Sequence, residues 1–321
     1  MKKRFLLLLV AMIAGMLAAR AQSDLSSLFA DSLKNNGPVI ATFKSDELIN
    51  TQTNETLHKH DLIFEIGHRF GDIGGQYGGA KTFFGFDNIS DVSLGFGYGI
   101  TDRFSVGIGR AKGAPNGVNS TQLQLYYGSL KYRLLQQTVD NRIPVAVTLF
   151  GRELISAMQS QPNNQADGHF SSFSNRLSSV VEMILARKFS DRFSLDVLPT
   201  YIHRGVVAPQ DMSDMFALGF GGRLKFTEHM ALVADYFLPF RNQTSTQYYE
   251  NQFNFRFYHP LAVGIEIETG GHVFHIDFTN ATALLENQLV TSTSSNWTNG
   301  QFRWGFNFSR TFTLGGTKRK W

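Results

Sequence analysis

The sequence predicts an all-β fold: a transmembrane antiparallel up-and-down β-barrel of about twelve strands, with a short N-terminal periplasmic or plug segment. Three observations predict it. The stretch Ser90–Arg110 alternates with period two, Val92, Leu94, Phe96, Tyr98 and Ile100 on one face against Asp91, Ser93, Gly95, Gly97 and Gly99 on the other. Successive strand side chains point to opposite faces, so this is a strand pattern. Its large apolar face opposes a small, polar one, which suits a wall with lipid outside and a polar lumen inside. Secondly, short polar turns alternate with long polar loops along the chain. Thirdly, the only long apolar run is a leader. Lys2-Lys3-Arg4, the apolar stretch Phe5 to Leu17 and Ala19-Arg20-Ala21 form a secretory signal peptide, too short in its apolar core to span a bilayer.

Composition agrees. The 321 residues include 30 glycines and 29 phenylalanines but only 8 prolines, and 17% of them are charged. Disorder would need more charge and fewer aromatics. There is no cysteine, so no disulfide framework, thiolate metal site or lipid-anchored N-terminal cysteine is available. A formal charge of +4 without a basic stripe excludes a nucleic-acid partner.

The chain divides into a signal peptide (1–21), a lead-in or plug (22–59), a barrel (60–314) and a basic tail (315–321). In the lead-in, Leu25, Leu28 and Phe29 fit a short amphipathic helix ended by Asn35-Asn36-Gly37-Pro38, and Val39 to Phe43 fits a short strand. Leu62, Phe64, Ile66, His68 and Phe70 form the apolar face of the first barrel strand. Gly71 to Phe84 reads as a mobile glycine-rich loop. Thr101-Asp102-Arg103 turns the chain from the second strand into the third, where Phe104, Val106 and Ile108 resume the apolar face. Between Thr121 and Leu135 the apolar face changes parity, from Leu123, Leu125 and Tyr127 to Leu130, Tyr132 and Leu134; a β-bulge near Gly128 accounts for this. Ile143, Val145, Val147 and Leu149 carry the next strand, and a polar loop follows over Ser156–Asn175.

Leu177–Phe189 and Phe193–Tyr201 pair across Ser190-Asp191-Arg192, a turn that repeats Thr101-Asp102-Arg103. Phe216, Leu218, Phe220, Leu224 and Phe226 pair with Met230, Leu232, Ala234, Tyr236 and Leu238. Phe253–Thr269 pairs with Val273–Asn280 across Gly270-Gly271, a two-residue hairpin turn. Ala281–Asn299 is a further polar loop. The last strand alternates Phe302, Trp304, Phe306, Phe308, Phe312 and Leu314 with Arg303, Gly305, Asn307 and Ser309. An even strand count puts both ends of the barrel at one rim, with short turns in the periplasm and long loops outside.

By parity, the lumen face carries Glu65, Arg69, Asp91, Arg152, Glu182, Asp196, Arg223, Lys225, Asp235, Arg256, Glu266, Glu268, Asp277 and Arg303. Charges inside a membrane structure must face water or each other. The list therefore reads either as a ladder of ion pairs filling a narrow barrel or as a polar path that discriminates solutes. Nine histidines are scattered; His58 and His60 share a face, as do His275 and Asp277, which fits turn and rim positions better than a zinc site of three or four converging ligands. No G-x-S-x-G signature or phosphate loop is present, so no catalytic or cofactor-binding residue is assigned and no cofactor is implied.

Thr42-Phe43-Lys44-Ser45, Leu48-Ile49-Asn50, Glu55-Thr56-Leu57 and Gly67-His68-Arg69-Phe70-Gly71-Asp72 resemble the N-terminal signature of a family of bacterial outer-membrane β-barrels of unknown function. The resemblance implies an outer-membrane barrel to which the lead-in belongs structurally, and adds no catalytic residue. The expected function is a pore or passive transporter for small polar solutes, or a gated version with the lead-in as plug. A structural or binding barrel with a closed, ion-paired lumen and partner-contacting outer loops is the alternative, and an outer-membrane hydrolase a third. The partners expected are outer-membrane lipid, the barrel-assembly machinery during biogenesis and a small polar solute.

Overall fold

The period-two segments fold into twelve antiparallel strands closed into one barrel. The computed structural model describes residues 37–115, 121–162 and 169–315; the leader, the amphipathic stretch at Leu25–Phe29 and the end of the basic tail lie outside them. In order the strands are β1 (Asp61–Asp72), β2 (Ile89–Thr101), β3 (Phe104–Ala111), β4 (Leu125–Leu135), β5 (Ala146–Ser156), β6 (Leu177–Lys188), β7 (Phe193–Arg204), β8 (Asp214–Lys225), β9 (Met230–Pro239), β10 (Leu261–Thr269), β11 (His272–Thr279) and β12 (Arg303–Thr313). Each pairs with its neighbours in sequence, and β1 closes the ring on β12. Asp61 lies opposite Thr313, so both ends of the barrel sit at one rim, with the short turns.

Alternation sets the two faces. Outward residues such as Ile108, Leu130 and Phe216 are 67%, 56% and 61% exposed, whereas the inner face of every strand is largely buried. An outward aromatic layer wraps part of the wall: Phe278 meets Trp304 at 4.3 Å between ring centres, Phe274 meets Phe308 at 4.8 Å and His68 stacks on Phe306 at 5.3 Å. Gly270 and Gly271, at φ 48° and 95°, make the β10–β11 turn with the positive dihedrals that a two-residue hairpin requires.

Several expectations need correction. The β3–β4 register runs without interruption from Phe104↔Tyr132 to Ala111↔Leu125, so there is no bulge at Gly128. The irregularity falls between Arg133 and Leu135, against β5. Leu125 and Tyr127 point inward because something apolar waits there, described below. Phe253–Pro260 is not strand. A helix, α1 (Gln243–Phe253), capped by the Asn242 side chain on Ser245 N at 2.7 Å, precedes it, and β10 begins only at Leu261. Val39–Phe43 makes no strand; the lead-in meets the β4–β5 turn at an isolated bridge, Pro38↔Thr138. Gly71–Phe84 is pinned: Ile73 N donates to Phe302 O at 2.8 Å and Gly74 N to Gly300 O at 3.0 Å, and a 3-10 turn covers Ala80–Gly85. Ala281–Asn299 is no surface loop, since all of a second helix, α2 (Glu286–Ser292), is buried.

A lipid-facing wall makes a specific prediction. Leu130→Arg, midway along β4, is expected to cost about 2–4 kcal/mol in denaturant unfolding from phospholipid vesicles. The same exchange on a water-facing strand stays within about 0.5 kcal/mol. A value in the second range would place Leu130 against water.

Candidate functional site: the occupied lumen

Two inserts fill the barrel, one from each rim. Residues 37–59 enter beside the 136–139 turn, where Val39 N donates to Gln137 O and Val139 N to Gly37 O at 2.8 and 3.1 Å. The segment folds into a compact loop: Leu48 N bonds Thr51 O, Thr53 N bonds Asp46 O, and Phe43 N donates to Glu55 Oε1 at 3.1 Å. Phe43, Leu48 and Ile49 are buried against small or branched wall residues, Ala146, Ala186, Val233 and Ala262. Large residues on the insert match small ones on the wall, as close packing demands. Glycines do the same for backbone: a Cβ at Gly99 would overlap the His58 carbonyl, and one at Gly97 would crowd Leu57.

The tip of the insert, Leu48-Ile49-Asn50, is clamped by three strands. Asp235 on β9 accepts Asn50 N at 2.6 Å, Ile49 N at 3.1 Å and Asn50 Nδ2 at 2.9 Å. Arg69 on β1 donates to Ile49 O at 2.9 Å and Asn50 Oδ1 at 3.2 Å. Asn307 on β12 donates to Ile49 O at 2.9 Å and accepts from Arg69 at 3.0 Å. Lys44 pairs with Glu268 at 2.9 Å, Lys131 Nζ donates to Asp46 O at 2.7 Å, and Thr56 Oγ1 bonds Asp102 O at 2.9 Å.

The second insert follows β11. Leu285, Leu289 and Val290 of α2 and its entry pack on Leu125, Leu154, Val180, Ile202 and Phe237, which explains the inward parity of Leu125. Glu286 pairs with Arg152 at 2.6 Å, Asp91 accepts Leu284 N at 2.9 Å, and Gln288 exchanges hydrogen bonds with the Ala114 backbone at 2.8 and 3.1 Å. At the outer mouth Asp211 lies between Arg204 (3.0 Å) and Arg241, and Arg241 also reaches Thr291 O and stacks 3.5 Å over Phe257. Burial by itself raises the Asp211 carboxyl, but the two guanidiniums outweigh it and hold it below its ordinary value.

Two small cavities of about 30 Å³ each border the lead-in, lined by Glu47, Glu65, Tyr127 and Arg152; the first also reaches Leu284 and Leu285 of the second insert, and Lys131 lines the second. One water needs roughly 10–15 Å³ by this measure, so each holds about two waters and no solute. Thirteen of the fourteen residues named above as lumen-facing project to the interior: Glu65, Arg69, Asp91, Arg152, Glu182, Asp196, Arg223, Lys225, Asp235, Glu266, Glu268, Asp277 and Arg303. They border inserts instead of an open channel. Arg69 pairs with Asp277 at 3.5 Å, Arg223 with Glu266 at 2.7 Å, Arg303 with Asp72 at 2.6 Å, and Thr200 Oγ1 reaches Glu182 at 3.2 Å. Arg256 is the exception. It lies in the loop after α1, exposed, paired with Glu250.

Sequence reasoning passed over Lys131, Arg133, Asn50, Asn307 and Glu286. The alternation of Leu130, Tyr132 and Leu134 already places Lys131 and Arg133 inward; Glu286 had no such signal, because its loop gives no periodicity. Among the described residues no group of three or more His, Asp or Glu is placed to hold a metal. Ser213 and His203 both bond Asp214, at 3.0 and 2.9 Å. A hydrolytic triad needs the serine on the imidazole instead.

Residues 43–312 match the family model described as a membrane bound beta barrel domain (DUF5777). The chain belongs to that family. No curated protein matches it. Among solved structures it is similar to the KdgM porin, with TM-score 0.44 and 7% identity over 78% of this chain and 99% of that one. An outer membrane channel from Pseudomonas putida F1 gives 0.45 and 12%, over 81% and 98%. The Acinetobacter baumannii outer membrane protein Omp33 gives 0.38 and 10%, over 79% and 99%.

Two predictions follow from the clamps. Asp235→Ala removes the charged acceptor of three donors, at about 1.5–3 kcal/mol for each such bond. Protection of the Asn50 amide against hydrogen exchange is expected to fall by about a hundredfold or more while the strand amides hold. Asp211 behaves as a depressed carboxyl. Its contribution is present above its unfolded value of 3.8 and is lost as pH falls through the lower folded value. Protection against exchange in 205–213 and 241–258, taken relative to the intrinsic rate at each pH, should therefore stay flat from neutral pH to about 4 and fall below it. Asp211→Asn should show the low protection already at neutral pH.

Proposed function

We propose that this membrane β-barrel is an outer-membrane pore, or passive transporter, for small polar solutes, held closed by residues 37–59, and that it is not an enzyme. In this reading the leader is a cleaved signal peptide and the compartment is the outer membrane of a Gram-negative bacterium. One observation carries the proposal. The lead-in packs inside the lumen and its isolated bridge, Pro38↔Thr138, falls on the β4–β5 turn, so its departure breaks none of the strand ladders that close the wall. The inner face it leaves is polar and charged, as a solute path requires.

The test is conductance of the refolded chain in a planar bilayer. Phe43→Ala with Ile49→Ala removes two anchors of the lead-in, each worth about 2–5 kcal/mol. The intact chain is expected to open rarely, and the double variant about a hundredfold more often or beyond; deletion of residues 22–59 should give sustained conductance. Silence of all three, with heat-modifiable migration showing folded barrels, would defeat the pore. The other reading, a closed structural or binding barrel whose outer half holds the buried α2, would then stand.

A further inference from the structure

The outer face of the wall carries a carboxylate among apolar neighbours. Glu153 points outward from β5 and is exposed. Ile155 and Leu177 stand above it on the same face, and Gly151 and Val181 stand below. Ser179 Oγ donates to it at 2.5 Å, and among the described residues no lysine, arginine or histidine pairs with it. The other charged residues that point outward from strands are Arg110, Arg187, Asp214 and Arg310. Arg187 and Arg310 stand by the short turns, and Asp214 opens β8, bonded to Tyr201 and His203. Arginine bends its head toward water along a long apolar stem, which glutamate lacks. A carboxylate in an apolar band is costly without a partner.

Arg110 points outward from β3 with its guanidinium 5.2 Å from the centre of the Tyr126 ring. It too has no ionic partner among the described residues. It lies level with Glu153 in the membrane. Paired residues lead from Ile66 of β1 through Leu94, Arg110, Tyr126 and Ile155 to Leu177. Ile66 is in the middle of β1 and Leu177 is the outermost residue of β6, so this path climbs about one residue per strand. Two strands on from Arg110, depth is recovered two residues below Ile155, at Glu153. Two strand spacings are about 10 Å, too far for the two side chains to pair within one chain. Gly128 lies between them, beside Ile108 and Glu153. A Cβ added at Gly128 or Gly151 would meet no atom nearer than 3.9 Å, so the floor between the two charges is open.

We infer that this face, centred on Gly128, docks a second copy of the chain in the membrane, the copies related by a two-fold axis along the membrane normal. Such an axis keeps every residue at its own depth. Arg110 of each copy then meets Glu153 of the other, and the pair forms twice. A two-fold contact requires a self-complementary patch, and a cation and an anion level with each other on either side of a glycine make one. Small residues let membrane-embedded walls approach closely. The inference concerns the outer face and does not depend on the pore.

The chain has no cysteine, so Gly128→Cys introduces one thiol beside the axis. The full-length chain with that change, refolded in detergent micelles and oxidised, is expected to form a disulfide-linked dimer about tenfold faster than one carrying Ile265→Cys, outward on β10 at the far side of the ring. In sedimentation equilibrium, Arg110→Glu or Glu153→Arg alone should weaken the dimer about a hundredfold, because each sets like charges against each other. Mixing the two single variants should restore it, and so should the double variant Arg110→Glu/Glu153→Arg. Heat-modifiable migration verifies that each barrel is folded. A monomeric wild-type chain overturns the inference, as do equal rates for the two thiols or a dimer that neither reversal weakens. A monomer that retains anionic lipid through Arg110, and loses it in Arg110→Glu, overturns it in favour of a lipid headgroup.

Discussion

Charges that face the interior of a membrane-embedded wall must each find a partner, and this constraint organises the molecule. Lipid cannot solvate them, and the small cavities admit only a few waters. The strands pair some of them directly, Arg223 with Glu266 and Arg69 with Asp277. Others are met by chain that enters the lumen. Asp235 binds backbone N–H groups of the lead-in, and Arg152 binds Glu286 of the second insert.

The two inserts use different physics. The outer one is anchored by an apolar cluster on Leu125, Leu154, Ile202 and Phe237, which makes the upper lumen a small hydrophobic core inside a barrel. The inner one combines three apolar anchors with a mesh of charge-assisted hydrogen bonds to β1, β9, β10 and β12. Hydrogen bonds to water replace hydrogen bonds to protein at modest net cost. Such a mesh is compatible with the displaceable lead-in proposed above. The glycines of β2 belong to the same design, since Gly97 and Gly99 leave room for Leu57 and His58 of the lead-in. The motif residues Ile49, Asn50 and Arg69 meet in space, where Arg69 donates to Ile49 O and Asn50 Oδ1.

Much was legible in the alternation. Period two places Leu94, Phe96 and Ile100 outward and gives twelve strands, the closing pattern of turns and the inward direction of thirteen charged residues, because strand geometry fixes parity locally. Where that rule failed, tertiary contacts had replaced lipid. Leu125 and Tyr127 are inward although apolar, because α2 offers them an apolar surface. Arg256 was placed inward by parity along a Phe253–Thr269 strand, and the chain forms a capped helix and a loop there instead.

The sequence by itself determined the wall: which face each strand residue takes, where the chain turns, and that the outside is apolar. Those are nearest-neighbour consequences of the pleat and of a nonpolar surrounding. Only the tertiary structure decided what fills the wall. The contacts Asn50–Asp235, Lys44–Glu268 and Glu286–Arg152 join residues 185, 224 and 134 positions apart. Their partners are chosen by which loops fold inward, a choice made by packing and charge pairing across the lumen, and no local periodicity records it.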